Sequence, residues 1–101
     1  MTYAFTASNS APQTQADKSV SGSSAVQLVS STPSVLARQK IVVQALAANT
    51  DKVRVGDANV TTTRGIELAA GDSVTFDGVQ DPSKLYAIPI SGTQTVVVCW
   101  W

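Results

Sequence analysis

The chain has no histidine and a single cysteine, Cys99. Without histidine, the commonest acid–base group near neutral pH is missing. Ser–His and Cys–His nucleophile pairs are excluded with it. One cysteine permits no disulfide within the chain, and one cysteine without histidine makes no zinc staple. Charge is sparse: seven basic and seven acidic residues sum to zero. No basic stripe stands ready for phosphates, which argues against nucleic acid as a partner. Long apolar runs are lacking too, which argues against a membrane partner. Met1 is followed by polar residues rather than by the basic and apolar parts of a secretion signal. The expectation is synthesis and use without export.

What is present suits one small domain. Apolar residues make up 44% of 101 positions, enough for a real but modest core. A β domain of this size without staples gains stability by oligomerising. Low net charge leaves little repulsion between copies to oppose that.

Residues 1–24 are rich in Ser, Thr, Gln and Ala, with Ser21-Gly22-Ser23-Ser24 as a flexible linker signature. They read as an extended or flexible arm, with a disordered tail as the alternative. Tyr3 and Phe5 are spaced by two, so in extended backbone both point to one face. They are candidate anchors on a neighbouring chain, as in strand addition.

Residues 25–101 read as a β domain. Strands are expected at Val26–Ser30, Arg38–Leu46, Lys52–Val55, Val60–Thr63, Ile66–Leu68, Val74–Phe76, Leu85–Ile90 and Thr93–Trp101. The β-branched triplet Ile41-Val42-Val43 favours strand over helix in the second of these. Lys52-Val53-Arg54-Val55 alternates, with valines inward and cations outward. About eight short strands with frequent turn signals predict an all-β sandwich or barrel, of which a single antiparallel sandwich is the expectation adopted. The last strand is apolar on both faces: Val96, Val98 and Trp100 on one, Val97, Cys99 and Trp101 on the other. A central strand covered on both sides has this pattern, and so has a strand in a subunit interface. Val96, Val98, Trp100 and Trp101 are therefore candidate contact residues beside Tyr3 and Phe5.

Catalytic groupings do not emerge. There is no Gly-x-Ser-x-Gly elbow and no phosphate-cradling glycine loop. Asp51, Asp57, Asp72, Asp77 and Asp81 all fall in expected turns, where Asp side chains serve backbone N–H groups. Asp77-Gly78-Val79-Gln80-Asp81 lacks the dense oxygen ligands of a calcium loop. Cys99 lies in an expected core strand and reads as an inert buried thiol. No catalytic, cofactor or metal residue is assigned.

The stretch Lys40–Phe76 carries a further signal. Val53-Arg54-Val55-Gly56-Asp57 is followed by Val60-Thr61-Thr62-Thr63-Arg64-Gly65-Ile66-Glu67-Leu68 and Ala70-Gly71-Asp72-Ser73-Val74. It resembles a β module of small tailed-phage structural proteins, with the likeness covering roughly residues 38 to 100 in turn and core positions. The resemblance implies a virion component made in the host cytoplasm, such as a capsid decoration (cement) protein. It also implies a β-sandwich of jelly-roll type, a homotrimer, and the major capsid protein as partner. The alternative is a tail or head-fibre module that binds a host-surface glycan through exposed aromatics and loop Asp or Asn side chains.

Overall fold

The computed structural model describes residues 11–101, and the expected anchors Tyr3 and Phe5 lie outside them. The described chain is all-β. It has nine strands: β1 (Gln13–Thr14), β2 (Lys18–Val20), β3 (Val26–Gln27), β4 (Ile41–Ala45), β5 (Val53–Gly56), β6 (Ile66–Leu68), β7 (Ser73–Phe76), β8 (Tyr86–Pro89) and β9 (Gln94–Trp100). A 3-10 turn, Pro82–Lys84, precedes β8.

The strands form two antiparallel sheets. In one, β1 and β2 both pair with β9, then come β4 and β7; the other runs β3-β8-β5-β6. The pairing has a simple logic. β2 pairs β9, β3 pairs β8, β4 pairs β7 and β5 pairs β6, as in one long hairpin folded at the β5–β6 connection. Two further ladders, β4 with β9 and β5 with β8, join these pairs into sheets.

Alternation decides what the two sheets bury. Val96, Val98 and Trp100 of β9 face inward, opposite Ala45, Val43 and Ile41 of β4. Val53 and Val55 of β5 face inward from the other sheet, with Leu68 and Ala87 beside them in one continuous core cluster. Arg54 points out and meets its cross-strand partner Glu67 at 3.4 Å, as the alternation predicts. β9 lies between β1/β2 and β4, so it is central in its sheet.

Two sequence expectations change. Val60–Thr63 is no strand: Thr61 and Arg64 exchange backbone bonds of 3.0 and 3.2 Å across a tight turn, and the Thr61 hydroxyl accepts from Thr63 N–H. Threonine hydroxyls compete for backbone donors, which undoes the strand. Ile66 lies on the same face as Val55, yet it is 43% exposed because β6 is the edge of its sheet. Sheet pairing also begins ahead of Ser24. Thr14 opposes Cys99, Lys18 opposes Val96, and Val20 is fully buried. Gln15 Nε2 adds a 2.6 Å bond to the Leu28 carbonyl. Residues 13–20, read as arm, belong to the folded body.

Candidate interaction surface

The two ends of β9 are built differently. At its start, Gln94 is buried and fully bonded. Its Oε1 accepts from Thr50 and Asp51 N–H at 3.0 and 3.3 Å, and its Nε2 donates to the Ser91 carbonyl at 2.8 Å. Asn49 adds a paired contact with the backbone of Thr95, at 2.9 and 2.8 Å. This end is a closed polar clamp.

The other end is apolar and open. Trp100 is 5% exposed in the core, and its Nε1 donates to the Val35 carbonyl at 2.8 Å. The Trp101 carbonyl accepts from Arg38, Gln39 and Lys40 N–H at 3.1, 2.8 and 3.0 Å, and Trp101 N–H donates to the Lys40 carbonyl. The indole of Trp101 is half-buried, with Lys40 Nζ 5.7 Å from its ring centre. These bonds pin residues 35–40 to the strand end. Ala37 is buried behind them and donates to the Gln80 carbonyl at 2.8 Å.

The pinned segment therefore displays its apolar side chains to solvent. Val35 is 48% exposed and Leu36 39%. A cleft of about 160 Å³ opens between them and Ala11, Gln13, Arg38 and Trp101. A second hollow, about 430 Å³, adjoins it along Val35, Leu36 and Arg38 and reaches Gln80. Together they make a small corner of mixed lining, in which Val35, Leu36 and Trp101 sit beside Gln13, Arg38 and Gln80.

Of the six residues expected to make contacts, the structure brings one to this corner, Trp101. Val96, Val98 and Trp100 take the in-fold course of the two that their pattern allowed: alternation aims them into the chain's own core. Val35 and Leu36 were missed. They follow Pro33-Ser34 with no period of two or 3.6, so their surface role is set by tertiary bonds to Trp100 and Trp101.

Four of the five turn aspartates serve their own turns. Asp51, Asp57, Asp72 and Asp81 each accept from a backbone N–H of their own turn. The Ser83 hydroxyl, then that of Thr32, holds the Asp81 carboxyl below its ordinary value. The Ser91 hydroxyl does the same for Asp51. Cys99 is half-buried on the outward face of β9 rather than buried, and desolvation pushes its thiol up. Among the described residues, no group of three His, Cys, Asp or Glu side chains is placed to hold a metal ion. No helix among them is long and apolar enough to cross a membrane. Comparison with protein-family models and with curated proteins finds no match.

Proposed function

We propose that this protein is a structural component of a tailed-phage virion, a capsid decoration protein that acts by protein–protein contact at the capsid surface. The observation that carries this reading is the trio of apolar side chains Val35, Leu36 and Trp101, presented on backbone pinned by hydrogen bonds. A rigid, partly exposed apolar patch suits docking, because little conformational freedom is lost when it is covered. The body is a β-sandwich of jelly-roll type. What supports that type is the nesting of strand pairs, β2 with β9 through β5 with β6, under two sheets of interleaved order. Double-sheet jelly rolls recur in viral capsid domains. The chain's resemblance to phage structural modules points the same way. Its partners on this reading are the major capsid protein and two further copies of itself.

The test is binding to phage heads that lack the protein. Co-sedimentation of the purified chain with such heads, and a raised temperature of capsid disruption, is the expected result. Heads that neither bind the chain nor gain stability from it would refute the reading. Glycan binding is favoured by one feature, the half-exposed Trp101 indole beside Gln13 and Arg38, since an aromatic face flanked by polar groups suits a sugar. Saturable glycan-array hits lost in Trp101→Ala, with no capsid binding, would transfer the assignment to a fibre module.

A further inference from the structure

We propose that β7 is an open docking edge that takes up an extended strand of a partner protein, one with an uncharged centre and a Lys or Arg at each end. The inference goes beyond the preceding reading, since it concerns the chemistry of the strand and holds for whichever protein carries it.

The sandwich is unfinished on the side formed by β6 and β7. Each is the last strand of its own sheet. Ile66 lies on the inward face with Val55 yet is 43% exposed, and Val74 and Phe76 pack on the core while only partly buried. The turn at 69–72 joins Leu68 to Ser73. Ile66 and Phe76 therefore both lie at the ends of their strands remote from that turn, in opposite sheets. A strand laid beside β7 places its own inward side chains over this gap.

The backbone of β7 is suited to receive it. β7 is the longest edge strand of the described chain, with four residues against two or three in the others. It holds no charge and no proline, the usual guards of an exposed edge. Ala45 N–H donates to the Asp72 carbonyl at 2.9 Å. Alternation from that bond aims the N–H and C=O groups of Ser73 and Thr75 away from β4. Those groups are what a further strand pairs with.

Charge decides the occupant. Asp72 and Asp77 bracket β7, and neither makes an ion pair with a described residue. Lys40, opposite Asp77 when the register is continued, lies over the Trp101 ring instead. Two copies of β7 paired about their Val74–Thr75 centre would set Asp72 against Asp77 twice, which is repulsive. Residues 1–10 contain no charged side chain to answer either carboxylate. The other described edges fit no better: β1 and β3 are uncharged, β2 has Asp17 beside Lys18, and β6 carries Glu67. The complement is a strand of another protein. It has cations at both ends, apolar residues opposite Val74 and Phe76, and small polar ones opposite Ser73 and Thr75.

The experiment brings such a strand within reach. Trp101 pairs with Lys40, so three strand spacings of about 4.8 Å, roughly 14 Å in all, separate it from a strand added beyond Asp77. A Gly-Ser linker of about eight residues matches that span. Lys-Val-Thr-Val-Thr-Lys is fused behind it to the full chain, to run antiparallel to β7 from Asp77 to Asp72. Fusions ending in Glu-Val-Thr-Val-Thr-Glu and in Lys-Val-Pro-Val-Pro-Lys are the controls for charge and for backbone pairing. Amide hydrogen exchange and melting temperature are measured on all three and on the unfused chain at several concentrations. In the Lys-flanked fusion alone, the Ser73 and Thr75 amides should exchange on the order of ten-fold more slowly, with a raised melting temperature. Equal slowing in the Glu-flanked fusion overturns the basic occupant, and equal slowing in the proline fusion overturns strand pairing. No slowing in any fusion overturns the docking edge. Ser73 and Thr75 amides as protected in the unfused chain as those of Val74 and Phe76 mean that the edge is already taken. The chain itself fills it if dilution changes nothing, and a second copy if dilution releases it; either overturns the proposal. None of these readouts involves phage heads, so the test of the preceding reading stands apart.

Discussion

Gln94 shows how single side chains hold this small body together. It is 1% exposed, and among the described residues only Ser83 is a comparably buried polar side chain. A buried amide is tolerated because its donors and acceptor are used. Gln94→Ala strands the N–H groups of Thr50 and Asp51 and the Ser91 carbonyl, so a loss of about 2–3 kcal/mol is expected in urea denaturation. The tandem tryptophans divide into two roles. Trp100→Ala empties a core position and orphans the Val35 carbonyl, with an expected cost of about 3–5 kcal/mol. Trp101→Ala removes a half-exposed ring and its Lys40 contact, and should cost about 1 kcal/mol or less. Equal losses from the two would contradict the division into core and surface. Asp81 and Asp51 each make an acid-sensitive contribution. Their folded pKa values are depressed, so their contribution is complete above the ordinary aspartate value of about 3.9 and is lost as pH falls below it. Melting temperature should be flat from pH 7 to about 5 and fall below about 4. In Asp81→Asn the acid decline should be shallower. An unchanged slope would show that the Thr32 and Ser83 bonds contribute nothing.

At the scale of elements, the β5–β6 connection is where the long hairpin folds, and Gly65 makes that fold possible. Its φ is +128°, and an added Cβ would meet Val60 Cγ2 at 2.6 Å and the Val55 carbonyl at 3.0 Å. Gly71 also has positive φ, at +86°, but open space around it. Gly65→Ala is therefore expected to cost roughly 1–3 kcal/mol for backbone strain plus the clash, and Gly71→Ala only the strain. Thermal melts that rank the two the other way would overturn this account. The strands around this connection were legible from sequence where alternation was clean. Val53 and Val55 went inward and Arg54 outward as their spacing requires, and the aspartates took the turn N–H groups. Thr61–Thr63 misled because β propensity is no guide when hydroxyls bond the local backbone. The corner was hidden for another reason. Val35 and Leu36 belong to no element, and only the bonds from Trp100 and Trp101 reveal how they are displayed.

For the whole molecule, the decisive question is where the body begins. Composition places the boundary near Ser24, but β9 needs a partner on the side away from β4, and β1 and β2 supply it. Val20 is buried at that contact, and Gln15 ties the same segment to Leu28 in the stretch after β3. Truncation separates the two boundaries. A chain starting at Pro12 keeps every described strand, so its melting temperature should stay within a few degrees of the full chain. A chain starting at Ala25 loses both flanking strands and the Val20 side chain, whose burial alone contributes about 1.5–3 kcal/mol. It also bares the edge of β9, with Val96, Val97 and Val98 alongside, and an unprotected apolar edge invites strand pairing between chains. With each kcal/mol worth about 4–8 °C in a domain of this size, the shorter chain should melt more than about 10 °C lower, or aggregate. Calorimetry of the two truncations decides the matter: equal melting temperatures would mean that β1 and β2 rest on the sheet without supporting it, and the body would begin after the linker.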